Sequence, residues 1–121
     1  MDKCTIYNTL EIVGKKWSLL ILLELYKGEG EHKRFNEIKR GLMGITPKIL
    51  SLRLQELENQ GLVKKDIDNS TIPIKCDYSL TESGKDFIHI IQEIKEWGLK
   101  WKFNNTTCAA TYCKQCESAF K

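Results

Sequence analysis

Five cysteines are the side chains of this 121-residue sequence that are best suited to redox or metal chemistry. Cys108, Cys113 and Cys116 follow one another near the C-terminus with C-x4-C-x2-C spacing. Such thiols can bind Zn²⁺ or form a disulfide, but a closed tetrahedral zinc site needs a fourth ligand, from Cys4 or from a second subunit. Zinc binding, a disulfide and free thiols therefore all stay open for this tail.

The remaining two cysteines lie in different surroundings. Cys4 stands just before a predicted helix, where unpaired backbone amides lower the pKa of a thiol and favour the reactive thiolate. The alternative for Cys4 is a small, partly buried residue without special reactivity. Cys76 alternates with polar residues in a predicted strand, together with Tyr78, and we expect it to face inward.

Polar side chains in residues 46–58 have the pattern of a helix that reads DNA. Leu50, Leu54 and Leu57 recur at helical spacing and predict a buried stripe, while Thr46 and Pro47 suit the cap and the first helical position. Residues on the opposite face of such a helix reach base edges in the major groove. The candidates for these contacts are Thr46, Lys48, Ser51, Leu52 and Gln55.

Basic side chains around this helix are candidates for phosphate contacts. Lys64, Lys65 and Lys75 flank a predicted β-hairpin, and the central part of the chain carries more basic than acidic residues although the net charge is only +3. Arg53 lies on the flank of the helix, where it either contacts phosphate or pairs with Glu56 or Glu58. A solvated helix face without DNA contacts is the other interpretation of this charge distribution.

The sequence has few features that indicate an enzyme active site. His32 and His89 have no partnering constellation, and we find neither a glycine-rich phosphate loop nor a carboxylate pair at catalytic spacing. We therefore expect a protein that is not an enzyme. The sequence also shows no secretory signal and no apolar run long enough to span a bilayer, so we expect a cytoplasmic protein without a membrane partner.

The helices and strands that position these residues are predicted from the spacing of apolar residues and from the capping, glycine and proline residues at their ends. Predicted helices cover residues 5–13, 17–26, a segment from Phe35 to near Gly44, 46–59 and 82–103, and predicted strands cover 62–67 and 75–80. This order predicts a mainly α fold with a small β-hairpin: a winged helix-turn-helix with additional N- and C-terminal helices. Residues 1–103 then form one DNA-binding and dimerisation domain, and residues 104–121 form a cysteine-rich tail.

Four segments in this order give the sequence a resemblance to a known family. These segments are Cys4 ahead of Trp17 in GKKWSLLIL, then RFNEIKRGLMGI, then the KxLSxRLxELExxGLV spacing, then YSLTESG. Each segment alone is weak evidence for one family. With all four in this order, the sequence resembles the HxlR-type winged helix-turn-helix transcriptional regulators over residues 4–101.

The resemblance implies a homodimer that binds a palindromic operator in double-stranded DNA. It implies base contacts from residues 46–58, a phosphate contact from Arg34, and oxidant or electrophile sensing through Cys4. Leu52, where relatives usually carry a polar residue, and the uncharged tip of the predicted wing mark departures from the family. The dimer contacts that the first and last helices are expected to supply are Ile6, Leu10, Ile90, Ile94, Trp97 and Trp101.

Two other classes of function stay open at this stage. One is a winged-helix module that binds proteins and not DNA, which the uncharged wing tip would suit. The other is a metal- or disulfide-handling protein that uses the tail cysteines. We expect no cofactor for the regulator itself, and zinc at the tail cysteines stays open.

Overall fold

The computed structural model describes residues 4–116, so residues 117–121 of the predicted tail lie outside the described residues. The order of elements is helix, helix, strand, helix, helix, hairpin, helix, followed by a short tail helix. The helices are α1 (Thr5–Val13), α2 (Ser18–Lys27), α3 (Phe35–Gly41), α4 (Pro47–Asn59), α5 (Glu82–Trp101) and α6 (Thr106–Ala110). The strands are β1 (His32–Arg34), β2 (Val63–Asp68) and β3 (Lys75–Leu80).

The predicted hairpin belongs to a three-stranded antiparallel sheet in the order β1-β3-β2. β1 pairs with β3 so that Lys33 lies opposite Tyr78 and Arg34 opposite Asp77. The sequence did not predict β1, because three consecutive polar residues carry no strand periodicity. The strand exists only because a partner distant in the sequence supplies its hydrogen bonds.

Helix α2 lies at the centre of the molecule, as its nearly continuous apolar pattern predicted. Ile21, Leu22 and Leu25 are completely buried, and α2 contacts α3, α4, α5 and two strands of the sheet. Burying apolar side chains on several sides of one helix stabilises the whole arrangement around it. No helix within residues 4–116 has the length and hydrophobicity needed to cross a lipid bilayer.

Helix α4 has the ends and the buried face that the sequence predicted. The Thr46 hydroxyl accepts a hydrogen bond from the amide of Ile49 at 3.2 Å, and Leu50, Leu54 and Leu57 are all buried. The helix ends in a Schellman motif at Gly61. This residue has a φ of +82°, a conformation that glycine adopts without steric cost. In this motif the amides of residues 61 and 62 donate to the carbonyls of residues 58 and 57.

A buried carboxylate joins α2 to the sheet. Glu24 accepts hydrogen bonds from the Nζ atoms of Lys33 at 2.8 Å and Lys27 at 3.4 Å, and its side chain is only 4% exposed. Gly41 at the end of α3 packs against it, since a Cβ there would lie 2.2 Å from Glu24 Oε2. The ion pairs therefore hold α2, β1 and α3 at one point.

The tail folds back onto the domain. Lys95 Nζ on α5 donates to the carbonyl of Thr111 at 2.9 Å, and Lys114 Nζ donates to the carbonyl of Tyr26 at 2.8 Å. Asn105 caps α6 by accepting a hydrogen bond from the amide of Cys108 at 3.0 Å. Residues 106–116 thus have defined contacts with α2 and α5 that composition alone did not indicate.

We predict that Glu24→Gln lowers the free energy of unfolding by about 2–3 kcal/mol in urea denaturation. The variant leaves Lys27 and Lys33 without an anion; the expected loss is below the roughly 3–5 kcal/mol typical of a broken buried pair because Lys33 keeps some contact with water. Glu82→Gln is the control, since the Glu82 side chain is 96% exposed and its Oε1 lies 3.7 Å from Lys85 Nζ. The free energy of unfolding of this variant should hardly change. Equal effects of the two substitutions would contradict the role given to Glu24.

Candidate nucleic-acid interface

Helices α3 and α4 are joined by a tight turn whose shape depends on two residues. Gly44 adopts a φ of +95°, which favours glycine, and the amide of Ile45 donates to the carbonyl of Leu42 at 3.1 Å. The ring of Trp17 lies beside this turn, 4.0 Å from where a Cβ on Gly44 would be. Trp17 itself has a φ of +83° at the start of α2, so an unusual backbone conformation directs the ring toward the turn.

The face of α4 opposite its buried stripe is exposed along its length. Residues 48, 51, 52 and 55 are spaced three, four and seven positions apart, which places them on one side of a helix. The Leu52 side chain is 45% exposed, so an apolar group lies within an otherwise polar surface. The predicted base-contacting residues that are exposed together at this surface are Thr46, Lys48, Ser51, Leu52 and Gln55.

Arg53 is engaged inside the molecule. Its Nε donates to the carbonyl of Lys16 at 3.0 Å, and one of its terminal nitrogens donates to Glu56 Oε1 at 2.9 Å. Only 16% of its side-chain surface is exposed. Of the two alternatives from the sequence, the pair with Glu56 is present, whereas a phosphate contact by Arg53 stays a prediction that would compete with this pair.

Glu56 links α4 to the segment that follows α1. Its second carboxylate oxygen accepts from Lys15 Nζ at 2.5 Å, and this hydrogen bond, assisted by Arg53, lowers the pKa of Glu56. Residues 15 and 16 are thereby attached to α4 through Glu56 and Arg53, while Trp17 lies beside the turn that precedes this helix. Sequence reasoning missed Lys15 and Lys16, because the only local signal was the Arg53–Glu56 spacing.

Arg34 lies immediately before α3, at its N-cap. Its amide donates to Glu37 Oε1 at 3.0 Å, which orders the start of the helix, and its guanidinium Nε lies 3.7 Å from Asp77 Oδ1. About half of the Arg34 side chain is exposed, so its charge reaches the solvent beside α3. This position is compatible with the predicted phosphate contact, which stays a prediction.

The three wing lysines do not lie on one face of the sheet. Successive residues of a strand point to opposite sides, so Lys64 and Lys65 cannot both face the same phosphates. Lys65 lies opposite Tyr78, with its Nζ 5.9 Å from the ring centroid, whereas Lys75 lies opposite Asp68. Lys64 and Lys75 share their face with aspartates 66, 68 and 77, which reduces the positive potential there.

The inner side of the wing and its tip are less polar than its outer face. Burial, with a smaller contribution from neighbouring Cys76, raises the pKa of Tyr78 to about 12. Cys76 is half-buried on the same face, which agrees with the predicted inward orientation.

At the tip of the wing, Ile72 is fully exposed and Ile74 is largely exposed, and no basic residue lies between Asp68 and Lys75.

Helices α1 and α5 present an exposed apolar surface. α1 buries only Val13 completely, although it carries an apolar stripe. Large apolar side chains rarely stay exposed in clusters on a monomer that has no partner. The predicted dimer contacts, all of which are 46–70% exposed in the isolated chain, are Ile6, Leu10, Ile90, Ile94, Trp97 and Trp101.

Cys4 occupies the N-cap of α1 and is exposed. The backbone amides of Tyr7, and to a smaller extent Ile6, lower the pKa of its thiol, which is the direction expected at this end of a helix. All five cysteines are free thiols, and the three in the tail are half-buried. Among residues 4–116 no group of three or more cysteine, histidine or carboxylate side chains is arranged to hold a metal ion.

Comparison with known proteins identifies relatives over most of the chain. The family described as HxlR-like helix-turn-helix matches residues 12–106. The HTH-type transcriptional regulator YdeP of Bacillus subtilis (strain 168) is 38% identical over 101 residues, which are 84% of this chain and 76% of YdeP.

Two solved structures extend this comparison to the fold. The reduced form of the transcriptional regulator YodB from B. subtilis is 30% identical, with a TM-score of 0.72 over 87% of this chain and 99% of YodB. The redox regulator HypR in its oxidised form is 36% identical, with a TM-score of 0.73 over 83% of this chain and 99% of HypR. These neighbours confirm the predicted winged-helix fold class.

The backbone amides at the start of α1 predict a Cys4 thiol that ionises at lower pH than an ordinary cysteine. The pH profile of its alkylation, followed by peptide mass spectrometry, should have its midpoint below the roughly 8.5 of an ordinary cysteine. In urea the amides of residues 6 and 7 no longer point at the sulfur, so the midpoint should return to the ordinary value. Equal midpoints in folded and unfolded protein would show that the N-cap does not activate Cys4.

Proposed function

Because this chain belongs to the HxlR-like helix-turn-helix family of transcriptional regulators, we propose that it binds a palindromic operator in double-stranded DNA as a homodimer in the cytoplasm. The observation that carries the proposal is the exposed polar face of α4, on a helix whose other face is anchored in the core. Such a helix keeps its position while its outer side chains contact the major groove.

Each residue on this face is assigned a contact by its chemistry. Lys48 lies in the first turn of α4 and donates to guanine O6 or N7, while Leu52 contacts a thymine methyl group. Thr46, Ser51 and Gln55 supply hydroxyl and amide groups for neighbouring bases or phosphates. Leu52 accepts no hydrogen bond, so we expect the operator to carry an A·T pair where this side chain meets the groove.

Phosphate contacts are assigned to basic residues around the helix. Arg34 lies at the N-terminus of α3, the helix that crosses the backbone in this motif. Lys64 and Lys75 reach phosphates only from one face of the wing and Lys65 only from the other, so we expect a small contribution from the wing. Arg53 is the weakest candidate because it would have to leave Glu56.

The homodimer is supported by the exposed apolar surface of α1 and α5. α1 has nine residues, and an isolated helix of this length is marginal in water, so it needs a packing partner. Ile6 and Leu10 are more than half exposed, and so are Trp97 and Trp101. A second copy that packs α1 and α5 together would bury this surface and place two α4 helices about one DNA turn apart.

A redox response through Cys4 is the regulatory part of the proposal. Cys4 is exposed at the predicted dimer surface, and its lowered pKa favours the thiolate, the form that attacks oxidants and electrophiles. HypR, one of the similar proteins, is described as a redox regulator. We propose that modification of Cys4 changes how α1 packs and thereby changes DNA affinity through residues 14–17.

A protein-binding module is the second candidate function. The observation that favours it is the wing, whose tip exposes Ile72 and Ile74 and whose outer face carries three aspartates. Selection of bound DNA from a random pool, with and without oxidant, separates the two candidates. Enrichment of one palindrome supports the regulator, and failure to enrich any sequence under both conditions supports the protein-binding module.

Lys48→Gln should weaken binding to the selected operator roughly 5- to 100-fold and relax the preference for guanine at one position, as expected for a lost base contact. Fluorescence anisotropy with matched and substituted operators measures both effects. Lys85→Gln, which removes an exposed lysine from α5, is the charge-matched control and should leave affinity unchanged. A uniform loss for all DNA sequences would assign Lys48 to phosphate instead.

Trp97→Glu should convert the dimer to a folded monomer, because a buried charge without a partner opposes association. Light scattering after size-exclusion chromatography measures the mass, and circular dichroism checks the fold. Ile72→Glu is the control, since it adds the same charge at a fully exposed residue in the wing. A monomeric unmodified chain, or a dimeric Trp97→Glu variant, would contradict the proposed interface.

A further inference from the structure

Two of the tail cysteines are held in a tight turn. Cys113 begins a 3₁₀ turn that ends at Gln115, and the amide of Cys116 donates to the carbonyl of Cys113 at 3.1 Å. Side chains three positions apart in a 3₁₀ turn lie on the same side, and the Cα atoms that such a turn joins are less than about 7 Å apart. This spacing falls within the range that a disulfide bridges.

The turn is docked on the folded domain. Lys114, which lies between the two cysteines, donates to the carbonyl of Tyr26 in the last turn of α2 at 2.8 Å, and its Nζ lies 4.6 Å from the Tyr26 ring centroid. A cation at this end of a helix is favoured by the helix dipole. Lys95 holds the preceding residues through the carbonyl of Thr111. The contacts of Lys114 and Lys95 thus hold the turn that keeps the two thiols near each other.

Both cysteines line grooves that are open to solvent. Cys116 borders an open groove of about 790 Å³ that is also lined by Lys27, Lys33, Arg40 and Lys114, against the two acids Glu24 and Glu37. Cys113 borders a second groove of about 430 Å³ against α5. The excess of positive charge in the first groove suits an anionic disulfide such as oxidised glutathione.

We propose that Cys113 and Cys116 form a dithiol–disulfide pair that closes within one chain by exchange with a small disulfide. The thiolate of one cysteine attacks the small disulfide, which gives a mixed disulfide and releases one small thiol. The second cysteine attacks the mixed disulfide, which forms the Cys113–Cys116 bond and releases the other small thiol. The protein dithiol loses two electrons and two protons, and the small disulfide gains them.

This site is distinct from Cys4 and independent of DNA binding. A disulfide between Cys113 and Cys116 is favoured over zinc binding, because no group of three or more potential metal-binding side chains comes together among the described residues. Closing the bond encloses Lys114 in a small ring and keeps the turn in the conformation that contacts Tyr26. Oxidation should therefore hold the tail on α2.

The test uses the full chain treated with oxidised glutathione, with remaining thiols blocked by alkylation before trypsin digestion. Cleavage after Lys102 and Lys114 places Cys108 and Cys113 in the peptide of residues 103–114 and Cys116 in the peptide of residues 115–121. The proposed bond joins these two peptides without reductant and releases them with reductant. Cys108→Ser should leave this joined pair unchanged.

Two further variants complete the test. Cys113→Ser and Cys116→Ser should each keep a glutathione adduct on the remaining cysteine of the pair and lose the joined peptides, while circular dichroism confirms that both still fold. Joined peptides that disappear in Cys108→Ser would assign the bond to Cys108 and overturn the proposal. A covalent dimer on a non-reducing gel, with no joined pair from one chain, would overturn it as well. None of these outcomes depends on whether the protein binds DNA.

Discussion

The arrangement of the helix-turn-helix depends on a carboxylate buried where three elements meet. Glu24 lies on the central helix, and a charge there is tolerated only because Lys33 and Lys27 neutralise it. Since Lys33 belongs to β1, the ion pair places the short strand against α2, and β1 in turn leads directly into α3. Gly41 leaves room for the carboxylate at the other end of α3. One buried charge therefore specifies how the first helix of the motif is oriented.

The segment between α1 and α2 connects two surfaces that would otherwise be independent. α1 carries Cys4 and part of the predicted dimer surface, whereas α4 carries the exposed polar face. Lys15 and the Lys16 carbonyl bind Glu56 and Arg53 on α4, and Trp17 lies against the turn before it. A displacement of α1 would reach α4 through these contacts, which is the route that the proposed response of Cys4 would use.

Much of the fold and the buried side of the candidate site followed from local sequence signals. Helical periodicity and the Thr46–Pro47 and Gly61 signals predicted α4 with its buried leucines, because caps and amphipathic stripes act over a few residues. The exposed apolar stripe of α5 was predicted in the same way. β1 was missed, because three polar residues become a strand only by pairing with β3, whose partner residues lie about 45 positions away along the chain.

The amino-acid sequence was sufficient for the types and approximate bounds of α1–α5 and the hairpin, for the family, and for the exposed candidate residues on α4, since each rests on short-range patterns. The tertiary structure decided which of the candidate residues are already engaged in contacts within the protein. It joined Arg53 and Glu56 to residues 15 and 16, placed Lys65 opposite Tyr78, and docked Lys114 on α2. These outcomes depend on groups that are distant in the chain, because hydrogen bonds and ion pairs act over a few ångströms in space whatever the separation in sequence.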